Sequence, residues 1–329
     1  MNKQFVLAKR PQGQVTPDCF RLQESAIPAP ADGQVLVKHH YMSLDPYMRG
    51  RMDDSKSYAV SQAIDAVMGA GTVGEVVESK LDGFKPGDHV VGMGGWQQYS
   101  LAKGGEMRKI DTRQVPMSAY LGVVGMPGVT AWVGTNTICN PKPGETLVVS
   151  AASGAVGSAV GQLAKAQGVR AVGIAGGAAK CAYVKDELGF DDCIDYKTIG
   201  WQDALKAATP KGVDCVFENV GGEIFDFLLS RMNAFGRIAV CGLISGYNGE
   251  PYGMKNIRSL LVNRLTVQGF IVSERMELWP KALGELGMGV ATGKLKYRET
   301  VAPGLEAAPQ AFIGLLKGEN FGKQVVKLI

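Results

Sequence analysis

The chain has 329 residues, 46% of them hydrophobic and 20% charged, which is ordinary for a soluble globular protein and long enough for two domains. The net charge of +4 contains no concentrated Lys/Arg run, and the nearest approach, Lys103 with Arg108 and Lys109, reads as a solvated face, so neither nucleic acid nor a membrane surface is an expected partner. The N-terminus has too short an apolar core for a signal peptide and no segment nears ~18 consecutive apolar residues, which leads to the expectation of a cytoplasmic protein.

Within residues 1–122, short β-rich runs at 34–40, 71–78 and 88–92 are separated by Pro, Gly and Asp turns, predicting a compact antiparallel barrel. His39 and His40 are adjacent, so in a strand their rings point to opposite faces. With His89 and six scattered cysteines (Cys19, Cys139, Cys181, Cys193, Cys215, Cys241) they complete the supply of soft ligands, and none sits at zinc spacing. No metal site is assigned. Cys193, Cys215 and Cys241 lie in or beside apolar strand candidates and read as small core residues.

Residues 145–165 carry the strongest local signal. Leu147-Val148-Val149 suits a central parallel strand, and Ala152, Gly154 and Gly157 occupy the positions of a G-x-G-x-x-G turn with Ala in the first place. Val156, Val160, Leu163 and Ala164 then give an apolar helical period. Such a turn offers helix-start N–H groups to a pyrophosphate; the alternative is a glycine turn used only for close helix–strand packing. After the next strand, about 20 residues past the first position, an NAD site would carry Asp or Glu. No acidic residue stands between Glu145 and Asp186, and Lys180 is present. Lys180 would pair with a 2′-phosphate, or it is a solvated first-turn lysine. Together the missing acid and the present base point to NADPH.

From residue 144 strands and helices alternate: strands 146–150, 170–175, 192–195, 213–218 and 236–242, with helices 155–168, 178–188, 200–209 and 221–231. A further strand near 265–272 and a helix near 278–292 complete a doubly wound parallel sheet of the Rossmann α/β type. The tail predicts a short strand, a helix near 305–317 and a last strand at 323–328. The expected division is a β-rich domain of residues 1–122 and 299–329 and a dinucleotide-binding domain of residues 123–298, with a ligand cleft between them.

Gly69-Ala-Gly-Thr-Val-Gly-Glu-Val-Val77, followed by Phe84-Lys-Pro-Gly-Asp-His-Val90, resembles the GroES-like barrel signature of medium-chain dehydrogenases/reductases. Val67-Met68-Gly69 stands where zinc-dependent members carry Gly-His-Glu. Ser43-Leu-Asp-Pro-Tyr-Met-Arg-Gly-Arg51, Gly125-Met-Pro-Gly-Val-Thr-Ala-Trp132, Phe217-Glu-Asn-Val-Gly-Gly222 and Leu315-Leu-Lys-Gly-Glu-Asn-Phe-Gly-Lys323 narrow the resemblance. Together they look like the zinc-independent double-bond reductases: prostaglandin reductase/leukotriene B4 dehydrogenase, plant 2-alkenal reductases and, most closely, bacterial curcumin reductase.

The resemblance implies site residues. Gly154, Ala155, Val156 and Gly157 match the pyrophosphate turn, and Lys180 and Tyr196 the 2′-phosphate contacts. Asn219 matches a nicotinamide-ribose contact, though by itself it could simply cap the next helix. Cys241, Gly242, Leu243, Ile244, Ser245 and Tyr247 match the loop along the ribose and nicotinamide. Phe270, Ile271 and Val272 match a strand end bonding the carboxamide, with a core role for Phe270 as the alternative, and Asn320 matches a C-terminal cofactor contact. The implied reaction is NADPH-dependent reduction of the C=C bond of an α,β-unsaturated ketone or aldehyde. Tyr247 is the candidate hydroxyl donor to the enolate oxygen; the nicotinamide ribose hydroxyl, or a merely structural tyrosine in a turn, is the alternative. Tyr47, Tyr58 and Met126 are candidate substrate-pocket residues, and Met48, Met68, Met126 and Tyr47 either line the cleft or belong to the core. After Tyr247, where relatives are proline-rich, residues 248–255 hold a single proline, which leaves pocket shape open. Relatives are commonly homodimers. The rival readings are an NADPH:quinone reductase and a non-catalytic NADPH-binding protein, with secondary-alcohol oxidation a minor third.

Overall fold

The computed structural model describes residues 1–249 and 252–329. The strands, in chain order, are β1 Asn2–Leu7, β2 Phe20–Ser25, β3 Gln34–Ser43, β4 Thr72–Ser79, β5 His89–Gly92, β6 Tyr99–Lys103 and β7 Met107–Lys109. Then follow β8 Thr146–Ser150, β9 Arg170–Ala175, β10 Asp192–Asp195, β11 Val213–Glu218, β12 Met232–Val240 and β13 Thr266–Gly269. The tail supplies β14 Glu299–Pro303 and β15 Lys323–Lys327. By contact density the chain divides into one unit of 1–122 with 299–329 and a second of 123–298.

In the first unit a seven-stranded sheet runs β14-β15-β3-β4-β5-β7, with β6 also paired to β3. The tail belongs here because β15 pairs antiparallel with β3 through Val325–Lys327. Register shifts at Leu36/Val37 and His39/Tyr41 bend β3, and Val35, Val37, Val76 and Val90 pack together as a small core. β1 and β2 form a separate two-stranded ladder. Behind it Phe20 stacks on Trp96 at 5.1 Å between ring centroids, and Phe5 and Phe312 meet Trp96 edge-on. The rings of His39 and His40 separate as the strand pleat requires: His39 is buried and bonded through Nε2 to Ser100 Oγ at 2.8 Å, while His40 is half-buried, 3.8 Å from Glu75.

The second unit is a six-stranded parallel sheet in the order β10-β9-β8-β11-β12-β13. Numbered from the first of its own strands, that is 3-2-1-4-5-6, the doubly wound order. β8 is buried along its whole length, as a central strand covered by helices on both faces must be. The core around Val148, Val172, Val216 and Ile238 takes in Leu205, Leu228 and Leu229 from the flanking helices Trp201–Ala208 and Gly222–Arg231.

Several boundaries differ from the sequence expectation. β12 begins at Met232 rather than 236, because Val213 pairs with Met232 but Cys215 with Arg237. Residues 233–236 bulge within the strand there, and exposed Phe235 adopts φ +63°. The expected strand 265–272 ends at Gly269, and a 3-10 turn follows at Val272–Glu274. The helix expected at 178–188 is α-helical over Ala178–Ala182 and widens to a π turn over Tyr183–Glu187.

Candidate active site

Every carboxyl end in the parallel sheet opens into a segment that the sequence marks for cofactor contact: 151–157 after β8, 176–180 after β9, Tyr196 after β10, 219–222 after β11, 241–247 after β12 and 270–272 after β13. Ligands of open α/β sheets bind along this edge.

After β8 the chain turns through Ala151, whose φ of +50° is unusual for a side-chain-bearing residue. The helix Gly157–Ala166 then starts with no side chain capping it. A Cβ on Gly157 would fall 2.4 Å from Ala151 O, and one on Gly154 3.1 Å from the same oxygen. Gly157 is therefore needed for close packing of the helix start on the strand exit. Gly154, Ala155 and Val156 remain partly accessible, which leaves the main chain of this tightly packed turn within reach of an anion.

Lys180, in the short helix after β9, is half-buried; burial first, and then the charge of Lys197, lower its pKa. Its side chain is thus partly covered rather than wholly in solvent. Lys197 and Tyr196 follow β10, and a Cβ on Gly176 would lie 3.0 Å from Lys197 Cε and 3.0 Å from Tyr196 Cε1. Asp195 shapes this corner by accepting Gly177 N at 2.8 Å and Lys197 N at 3.0 Å. Lys197 did not emerge from the sequence, although its position directly past a short strand was the available signal.

Asn219 does not cap the following helix, which Gly221 precedes without a side-chain bond. Instead its N–H donates to Ser150 Oγ and its Nδ2 to Ser150 O, both at 2.8 Å. The loop after β12 is tied to the same place. Cys241 N donates to Glu218 O at 2.9 Å, Ile244 N to Asn219 O at 3.3 Å and Ser245 N to Val220 O at 2.9 Å. Tyr247 returns over this loop: a Cβ on Gly242 would meet Asn219 O at 3.3 Å and Tyr247 Oη at 3.5 Å. Leu243 and Ser245 are exposed, whereas Cys241 is partly covered and its thiol is pushed up to about 12 by burial. Phe270 lies just past β13, its N–H on Val240 O at 3.3 Å and its ring edge-on to buried Phe217. Of residues 248–255, Glu250 and Pro251 lie outside the described residues. Beyond them, Asp226 accepts Lys255 N at 2.8 Å and Asn256 N at 2.9 Å.

The remaining candidates divide between the units. Tyr47 opens the helix Tyr47–Arg51, and Arg51 lies over its ring at 4.8 Å; its hydroxyl is held protonated mainly by burial. Tyr58 is 59% exposed. Met48 and Met68 are each only 1% exposed, in the aromatic core, so the core reading holds for them. Met126 starts the helix Met126–Val133 in the second unit and is partly buried. Asn320, in the first unit, donates through Nδ2 to Gly322 O at 2.7 Å. Close by in sequence, Lys323 forms a buried ion pair with Asp45 at 2.8 Å, tying the last strand to the segment that leads into Tyr47. Among the described residues no group of three or more His, Cys, Asp or Glu side chains is placed to hold a metal ion.

Comparison with known proteins agrees with this architecture. Residues 3–110 match a family described as the N-terminal domain of oxidoreductase, and residues 155–287 one described as zinc-binding dehydrogenase. The chain is 46% identical to the NADPH-dependent curcumin reductase of Escherichia coli, over 99% of this chain and 97% of that protein. It is also 46% identical to the NADP(+)-dependent 2-alkenal reductase of Nicotiana tabacum, over 89% of this chain and 86% of the relative. The crystal structure of CurA in complex with NADPH from Vibrio vulnificus superposes with a TM-score of 0.95 at 46% identity, covering 99% of both chains. The chain belongs to the medium-chain dehydrogenase/reductase family, in the group of curcumin, alkenal and prostaglandin reductases.

Proposed function

We propose that this chain is an NADPH-dependent reductase of the C=C bond of α,β-unsaturated ketones and aldehydes. The observation that carries the reading is the alignment of the glycine turn, the Lys180/Lys197 corner and the Tyr247 loop along one carboxyl edge of the parallel sheet. The fit to the cofactor is chemical. An uncapped helix start suits a pyrophosphate, and a half-buried Lys180, its charge disfavoured by burial and by nearby Lys197, suits the doubly charged 2′-phosphate that would relieve it. Asn219 has its amide nitrogen committed to Ser150, so a ribose contact falls to its Oδ1.

When bound, NADPH supplies the hydride for the β-carbon of the enone. The task of the chain is to position the enone and stabilise the charge that collects on its carbonyl oxygen, while the α-carbon takes a proton. Tyr247 is the residue we assign to that oxygen, with Tyr47, Tyr58 and Met126 as substrate-pocket residues. A length-tolerant apolar substrate, of the curcumin or alkenal type, is the class we infer from the relatives' names.

We also infer a homodimer formed through the second unit. Among the described residues no strand pairs with the outer edge of β13, and Leu261 (81% exposed), Val262 and Val267 are presented beside it. No helix among the described residues is long and apolar enough to cross a membrane, and all six cysteines are thiols, which suits the reducing cytoplasm.

The test follows loss of reduced-nicotinamide absorbance with NADPH and, separately, NADH, using a straight-chain enone, curcumin and a small quinone. NADPH-selective turnover giving the saturated ketone is expected. Turnover of the quinone alone would replace the enone assignment, and NADPH binding without turnover of any of the three would make the protein a binding module.

A further inference from the structure

Glu218 is an anomaly for its position. It ends the apolar run of β11, is fully buried, and does not reach the surface on which a cofactor would lie. Its Oε1 nonetheless accepts three hydrogen bonds: from Ser150 Oγ at 2.8 Å, Val220 N at 2.6 Å and Gly221 N at 2.7 Å. Each donor belongs to a cofactor-facing segment. Ser150 closes β8 and accepts both donors of Asn219. Val220 and Gly221 form the turn that Gly221 and Gly222 complete at φ +76° and +63°. That turn in turn receives Ser245, through its N–H at 2.9 Å and its hydroxyl at 2.6 Å on Val220 O.

We propose that Glu218 is a positioning residue that sets the shape of the 219–222 turn and, through it, of the 241–247 loop that carries Tyr247. The inference rests on the cofactor reading of that edge, and concerns a residue that acts only through others. One carboxylate oxygen replaces the bonds that three donors at the ends of two neighbouring strands would otherwise seek from water or from the ligand. Without it, buried N–H and O–H groups are left unpaired, and the turn reorganises to satisfy them. Gln retains an acceptor of the same reach. Asp is one methylene shorter and Ala has no acceptor.

The experiment compares Glu218→Ala, Glu218→Asp, Glu218→Gln and Ser150→Ala with the wild-type protein by hydrogen exchange, NADPH binding by fluorescence and thermal melting. For Ala and Asp the expected result is faster exchange confined to 219–222 and 241–247, and NADPH affinity weakened by roughly ten- to a hundred-fold. Gln recovers most of both, and Ser150→Ala reproduces a part. Should Glu218→Ala not fold, the contrast between Asp and Gln decides. Faster exchange spread evenly over the parallel sheet, a lowered melting temperature and unchanged NADPH affinity would make Glu218 merely structural and overturn the proposal. Exchange in the wild-type apoprotein is read without turnover, so a failed enone assignment leaves this outcome distinct.

Discussion

The hydroxyl of Tyr247 stands over the backbone of Gly242, so close that a methyl group on Gly242 would be in van der Waals contact with it at 3.5 Å. The relation places a phenol against the loop assigned to the nicotinamide. If it supports the enolate, Tyr247→Phe lowers kcat by about 10²–10⁴-fold while NADPH affinity stays nearly intact. Steady-state kinetics with an enone and a binding titration check both halves, and unchanged turnover would transfer the role to the ribose hydroxyl.

Lys180 and Lys197 converge on one corner, where burial and then the charge of Lys197 disfavour the charge of Lys180. A 2′-phosphate between them would gain charged hydrogen bonds. Lys180→Ala is therefore expected to cut the preference for NADPH over NADH, as a ratio of kcat/KM, by about ten- to a hundred-fold. Lys197→Ala should act in the same direction. Loss of activity with both cofactors alike would show that the corner serves the fold and not the phosphate.

The helix that follows the glycine turn packs on Phe190 through the bare Cα of Gly161, where a Cβ would lie 1.8 Å from the ring. Gly161→Ala forces ring or helix to move, at a cost of about 1–3 kcal/mol. Differential scanning calorimetry should record a melting temperature lower by several degrees. An unchanged value would mean that Phe190 has room to rotate away.

The carboxyl of Glu218 is pushed up to about 7 by burial, against the pull of its three donors. A carboxyl raised in the folded state contributes stability in full below the ordinary carboxylate range and loses it as pH rises through about 7. Wild-type protein should thus lose stability relative to Glu218→Gln between about pH 5 and pH 8, by on the order of 3 kcal/mol. Parallel melting curves over that window check it, and a constant gap would show that the carboxyl does not titrate there.

Leu261, in the helix Arg258–Val262 that precedes β13, and Val267, in the edge strand β13 itself, are exposed apolar residues. Replacing Val267 by Arg should convert a dimer to a monomer in light scattering coupled to size exclusion. A wild-type protein that is already monomeric would refute the pairing.

How much of this was legible beforehand depends on what each residue reports by itself. The parallel strands were readable because a strand buried on both faces is a run of Val, Ile and Leu, as in β8 and β9. β1 and β2 were not foreseen: they form a two-stranded ladder apart from the larger sheets, and β2 exposes half its side chains, which leaves no continuous apolar run. The true start of β12 was hidden because its first residue, Met232, pairs with β11 five residues before the regular ladder resumes at Arg237. At the candidate site, Lys180 and the glycine turn could be read locally. Lys197 and Glu218 could not, since their significance lies in neighbours on other strands: Lys197 near Lys180, Glu218 under Ser150 and Gly221. A glutamate closing the run Val-Asp-Cys-Val-Phe-Glu218 reports neither its burial nor its donors by sequence alone.

The turn from Ala151 to Gly157 offers an anion its main chain more than its side chains, because the helix start carries no polar cap of its own. Such a site is indifferent to most changes of chemistry and intolerant of changes of volume. If the turn holds a pyrophosphate as proposed, side-chain changes at the partly accessible positions 154–156 matter less than volume, because a single added carbon at Gly157 strikes Ala151 O. The constraint this turn places on the protein is therefore one of space rather than of side-chain chemistry.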